Sequence, residues 1–428
     1  MALLLQYFLA LSGLICFYLG HSIIYNLFFH PFRKFPGPPL AKISRVWSRR
    51  ANFQGLKYMR IHEAHQKYGA VIRIGPNELS FADPLAIRDI YTTDDFQKEE
   101  SFYFSKRGYE EDHLFSFTNP EAHSQRRKLL SRGYSQRSLL AIEQELSTKI
   151  QIFLQVIGKD SADGKPVDIY NRVHLLSFDV VYWLLFGDDP KSLESGGEHK
   201  VLSYFRAWRP IFIYKEFWPQ LEKIGIYLPG ALGENFRKVK AWKEYSVDLI
   251  RKCRQNTVVT PFFRSVLYGE KDGYLDRPLT DSEVAEECMS GMFGGTGTTA
   301  NTFVFLLWAT LQHPGVVEKL KAELRAAIPN VGSVPDYQAV INETLRLYPT
   351  IVAIIPRIAM RDTSVAGVHI QKGTIVGIQN YTIHRWEPAF PEPERFIPDR
   401  WLDDENIEQR KEAFVPFSVG SRRCIGIK

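Results

Sequence analysis

Cysteine is scarce. The 428 residues hold four, Cys16, Cys253, Cys288 and Cys424, and no two lie close in sequence. That spacing argues against a disulfide framework and for a reducing compartment. It also argues against zinc and iron–sulfur sites, which need about four ligands. Charge of one sign is missing too. Fifty-four Lys and Arg against 48 Asp and Glu give +6, far short of a nucleic-acid-binding stripe, so no nucleic acid is expected as a partner. No glycine fingerprint of the Rossmann or P-loop type occurs. Finally, residues 1–32 contain no Lys, Arg, Asp or Glu at all.

That uncharged start is mostly Leu, Ile, Phe, Tyr and Ala from Ala2 to Phe29. Crossing a bilayer takes about 20 residues, so residues 1–30 are read as a transmembrane anchor. A cleaved signal peptide is the alternative, but the run is long for one and no basic segment precedes it. Arg33 and Lys34 follow at once, which places the bulk of the chain in the cytosol. Residues 31–40 include Phe35-Pro36-Gly37-Pro38-Pro39. Prolines cannot continue a helix, so this is a stiff elbow before the remaining body, residues 41–428.

The body reads as mostly helical. Lys57–Lys67 has helical spacing closed by Tyr68-Gly69, and Val71–Ile74, Gly75–Glu78 and Leu79–Phe81 read as a hairpin. Asp83-Pro84 opens another helix. Residues 102–117 are irregular and aromatic, at even odds a packed loop or a substrate-facing one. In Glu121–Leu130, His123 and Arg127 share a helix face, which by itself reads as a solvated basic surface. Residues 136–258 read as successive amphipathic helices. Their aromatic stretch Tyr204–Trp218 suits a pocket roof or a membrane surface.

Thr280-x-x-Glu283 is a capping box. The helix it starts runs to His313-Pro314, about 48 Å at ~1.5 Å per residue. Gly294, Gly295 and Gly297 sit mid-helix and cost roughly 1 kcal/mol each. Such a loss points to close approach of something flat, to a kink, or to a helix crossing. Farther on, Glu343-x-x-Arg346 is an i, i+3 pair, by itself worth a few tenths of a kcal/mol. Ile351–Ile355 is an apolar run suited to lining a pocket.

The last stretch carries the chemistry. Phe417 to Gly426 holds one cysteine, Cys424, preceded by Arg422 and Arg423 and flanked by Gly420 and Gly426. Guanidinium charge favours the thiolate, the form that binds metals. Glycines let the backbone turn and approach a flat group, and Phe417 can shield the sulfur. A lone cysteine can hold a haem iron from one side, because the porphyrin fills the equatorial positions. Otherwise Cys424 is a small buried hydrophobe like most cysteines.

This decapeptide resembles the haem-binding loop of the cytochrome P450 family, Phe-x-x-Gly-x-Arg-x-Cys-x-Gly, and fills every fixed position with Phe417, Gly420, Arg422, Cys424 and Gly426. The resemblance runs from the hinge to the loop, in order. It implies a mainly α fold with a small β-rich region, behind the membrane helix. It implies haem b, with Cys424 as axial ligand and Arg127, Arg357, Arg422 and His123 at the propionates, His123 standing where Trp is usual. Thr298, in Gly294-Gly295-Thr296-Gly297-Thr298-Thr299, would position dioxygen and relay protons, with Gly297 in the place of the usual acid. Glu343, Arg346 and Arg400 would form a structural cluster, with Arg400 preferred over Arg395 by its distance from the cysteine.

The activity implied is a monooxygenase acting on an apolar, fairly bulky small molecule. Electrons would come from NADPH through NADPH–cytochrome P450 reductase, with cytochrome b5 as an additional donor. The implied location is the endoplasmic reticulum membrane, single-pass, with the catalytic part cytosolic. The anchor, hinge and Glu121–Leu130 helix resemble fungal members, many of which act in secondary metabolism.

Two alternatives stay open. One is a reductase-independent haem-thiolate isomerase or dehydratase, motivated by Gly297. The other is a haem-free membrane protein. Lys428 follows the cysteine by four residues, whereas the family continues for several dozen. This leads to the expectation of a C-terminally truncated chain that binds haem poorly. The 18 residues between Leu324 and Glu343 suggest a further deletion around Pro329–Ser333.

Overall fold

The uncharged start forms a helix over Ala2–Ile24 that passes into a π-helical turn over Tyr25–Phe29. The structure, a computed structural model, describes residues 2–103, 111–162, 164–197, 199–255, 260–268, 275, 277–327 and 335–427. The expected deletion at Pro329–Ser333 and the aromatics Phe104 and Tyr109 lie outside them. Leu4–Phe29 has a mean hydropathy of 1.7 and is long and apolar enough to cross a membrane.

The chain divides into two units, the first made of Met1–Gln97, Val352–Pro393 and Glu408–Val415. Its sheet contains β1 (Val71–Gly75), β2 (Glu78–Phe81), β3 (Phe96–Lys98), β4 (Arg357–Ala359) and β7 (Ile375–Ile378), in the order β1-β2-β7-β4-β3. β1 and β2 pair antiparallel with Ile72 opposite Ser80, the hairpin read from the sequence. β2 runs parallel to β7. A separate hairpin joins β5 (Thr363–Val365) to β6 (Val368–Ile370). The helix Lys57–Tyr68 ends at Gly69, whose φ is +101°, and buries Ile61 and Ala64 against Ile72, Ile74 and Ile354. Ile354 is thus spent on this core while Ile351 is exposed, so the run 351–355 is not one pocket-facing wall.

The hinge is bonded to this sheet rather than free. The Arg73 amide donates to Pro36 O at 2.8 Å. The Arg73 guanidinium, fully buried, donates to Asn26 O at 2.9 Å and to Pro76 O at 2.7 Å. Burial pushes Arg73 down to about 10, still charged at neutral pH. These bonds fix the end of the apolar helix to β1, a link no local pattern in the sequence announced.

The second unit comprises Lys98–Ile351, Glu394–Ile407 and Pro416–Lys428. Its axis is the helix Asp281–Leu311, started by Thr280 with both capping-box bonds present. The helix Ile169–Phe186 packs along it, and Phe178, Tyr182, Trp242, Val284, Cys288 and Met292 lie in the shared core. The aromatic stretch from Tyr204 belongs to the helix Lys200–Phe217, which accommodates Pro210. Phe205 meets Trp242 edge-on at 4.7 Å, and Trp208 lies 4.3 Å from Phe293 between ring centres. Part of that stretch is therefore core, and Trp218 at its end is exposed.

Candidate haem site

The cysteine loop is shaped by its own backbone. Ser418 and Gly420 both take positive φ, +59° and +73°, a conformation glycine adopts at little cost. A 3₁₀ turn follows over Gly420–Arg422. The Cys424 amide donates to Phe417 O at 2.8 Å, closing the loop. Ile425 then packs against the main core of the second unit. Phe417 and Arg422 are half-buried, whereas Cys424 is exposed.

Two arginines grip this loop. Arg127, on the helix Pro120–Ser131, donates to Arg423 O at 2.8 Å. Burial and Arg423 push its guanidinium below its ordinary value, and the charge of Cys424 pushes it up. Arg422 donates to Phe117 O at 3.1 Å and to Thr118 O at 3.2 Å. Burial and the charge of Cys424 also raise the Tyr134 phenol. The reading of Glu121–Leu130 as a solvated basic face is corrected here: His123, Arg126, Leu129 and Leu130 are all buried, Leu129 and Leu130 in the main core and Arg126 paired with Glu287 of the long helix at 2.5 Å.

The glycine-rich middle of the long helix separates its three glycines. A Cβ on Gly295 would meet Val181 at 3.1 Å, so that glycine serves the crossing with Ile169–Phe186. A Cβ on Gly294 or Gly297 would meet nothing within 4 Å among the described residues. The helix is continuous from Asp281 to Leu311, so a break does not explain them. Their open side fits a flat group, and an exposed thiol in a basic loop fits as the donor to its iron. Both belong to the second unit.

Hydroxyls gather on the carbonyls of this stretch. Thr298 donates to Gly294 O at 2.5 Å, and Ser177 donates to Thr296 O at 2.8 Å. Thr302 donates to Thr298 O at 3.0 Å. The Thr296 hydroxyl is buried with no hydrogen-bond partner among the described residues. Ser177 and Thr302 were not singled out in the sequence; a threonine four residues after another on a helix is the local signal for the second.

Glu343, Arg346 and Arg400 come together. The carboxylate accepts from Arg346 at 2.8 and 2.9 Å and from Arg400 at 3.2 Å. It also accepts from the Ile397 amide and the Trp401 indole, each at 2.9 Å. Arg395 gives its carbonyl to Arg346 at 3.0 Å. Arg357 starts β4 in the first unit, buried, with its guanidinium 5.0 Å from the centre of the Tyr91 ring.

The family profile described as Cytochrome P450 matches residues 36–428. Among curated relatives, cytochrome P450 monooxygenase BOT4 of Botryotinia fuckeliana is 30% identical over 425 residues, covering 94% of this chain and 78% of that protein. Cytochrome P450 monooxygenase notG' of Aspergillus versicolor is 28% identical, with 94% and 74% covered. Tryprostatin B 6-hydroxylase of Aspergillus fumigatus is 27% identical, with 94% and 73% covered. The chain belongs to the cytochrome P450 family, among its fungal monooxygenases.

Proposed function

We propose that this protein is a membrane-anchored monooxygenase of the endoplasmic reticulum that places one oxygen atom from O2 on an apolar, bulky small molecule of fungal secondary metabolism. NADPH is the electron source through a separate reductase, because the chain carries no nucleotide fingerprint of its own. The observation that carries the reading is the exposed Cys424 thiol at the tip of a closed, arginine-held loop. Haem b, when bound there, supplies the iron chemistry, and a thiolate ligand favours O–O cleavage.

The chain's own residues have distinct tasks. Cys424 gives the thiolate. Arg127, Arg422 and His123 supply donors for the propionates. Phe417 keeps water from the sulfur. Thr298 holds a proton at its Oγ1, which rests on Gly294 O, and hands it into the pocket. Gly297 removes the acid that would refill it, so water does so. A second reading, an isomerase or dehydratase that needs no reductase, draws on that same Gly297.

The test is the reduced, CO-treated spectrum followed by turnover with reductase. A band at the thiolate position with NADPH and O2 consumption supports the proposal. A band without consumption supports the isomerase, and no band the haem-free reading. We further expect Thr298→Ala to keep consuming NADPH while releasing peroxide in place of product. Positioned proton transfer contributes about 10²–10⁴-fold, so product per NADPH falls at least about tenfold. Unchanged coupling assigns the relay to Thr296, Thr299 or water alone.

A further inference from the structure

Glu287 lies in the first half of the long helix, almost fully buried. Nothing in the proposed reaction uses it. Its Oε1 accepts from the Leu114 amide at 3.0 Å and from Arg126 at 2.5 Å. Burial raises its carboxyl above the ordinary value, and Arg126 and the Leu114 amide draw it back down. The net direction is upward, and two donors share the one oxygen, Oε1.

The partners lead to the cysteine loop. Residues 111–118 form no helix or strand, only a turn closed on His113 O, and side chains tie the segment to its surroundings. Glu287 takes it at Leu114, and Lys98 donates to Phe115 O at 2.7 Å. The Arg126 guanidinium lies 5.3 Å from the centre of the Phe117 ring. Arg422, two residues before Cys424, takes the same segment at Phe117 O and Thr118 O. One stretch of irregular backbone is therefore gripped by the long helix at one end and by the cysteine loop at the other. The residue after Arg126, Arg127, makes a second tie to the loop at Arg423 O.

We propose that Glu287 is a positioning residue for the cysteine loop: through Arg126 and the 111–118 segment its carboxylate fixes Arg422 and hence the orientation of Cys424. The adjacent acid, Glu286, is equally buried and pairs with Lys243 on another helix. It is the internal control for a merely structural carboxylate.

The experiment is amide hydrogen exchange on the 428-residue protein, with the reduced-CO spectrum as a second readout. Glu287→Gln is expected to speed exchange at least about tenfold at 111–118 and also at 417–424, and to move part of the CO band away from the thiolate position. Glu286→Gln should leave both readouts at the loop unchanged. Should Glu287→Gln not fold, Arg126→Lys decides; it keeps the charge, loses the ring contact, and should show the same pattern at smaller size. Faster exchange at 111–118 with an unaltered 417–424 overturns the proposal, as does equal loosening of the loop by Glu286→Gln. The spectral readout rests on Cys424 being the haem ligand. The exchange readout does not, so a failed ligand assignment leaves it standing.

Discussion

Cys424→Ala or Cys424→His removes the thiolate-type reduced-CO band, while Ala at Cys16, Cys253 or Cys288 leaves it in place. The four thiols differ in what they can do. Only the thiolate is a good ligand, and burial in an apolar core disfavours it. Cys253 is buried and donates to Phe186 O at 3.0 Å, and burial pushes its thiol up to about 11. Cys288 is fully buried against Leu185 O, and burial followed by the charge of Glu287 raises it well above its ordinary value. Both stay neutral at pH 7. Cys16 sits on the apolar N-terminal helix. Cys424 alone combines exposure, a closed loop and two nearby guanidinium groups. Loss of the band in Cys288→Ala and its retention in Cys424→Ala would show that the wrong cysteine has been assigned.

Local pattern carried most of what could be read from the residues. The capping box at Thr280 and Glu283 needs only four residues to be recognised, and it starts the helix where expected. The β1–β2 hairpin follows from alternation and a turn. Arg126 shows what local pattern misses. In Arg126-Arg127-Lys128 it looks like one more solvated charge, yet it is buried because its partner lies 161 residues away. Arg73 is similar: its burial depends on Asn26, 47 residues earlier. Charges paired across the chain leave no periodicity, so they are invisible until the fold places them. The glycines of the long helix were legible as a cost but not as a cause. Only geometry separates Gly295, which serves a helix crossing, from Gly294 and Gly297, which open into space.

Glu343 provides the sharpest contrast between sequence and structure. Glu343→Ala is expected to destabilise the protein by about 3–5 kcal/mol, the usual cost of stripping one partner from a buried ion pair. Net stability is typically about 5–15 kcal/mol, so the loss is a large share of it. As an i, i+3 pair, Glu343 and Arg346 look no different from Glu408 and Lys411, which are also three apart at 2.8 Å. The difference is burial. Both side chains of the first pair are 0% exposed, whereas those of the second are 79% and 62% exposed. Water would rescue Lys411 after Glu408→Ala. Arg346 and Arg400 would stay buried without that carboxylate, as would the Ile397 amide and Trp401 indole that share it. Glu343→Gln keeps the shape and one acceptor oxygen but turns an NH2 toward a guanidinium, so it should fall between the two. Urea unfolding of the three variants checks the order. Equal midpoints for Glu343→Ala and Glu408→Ala would mean that the cluster does not hold the second unit together.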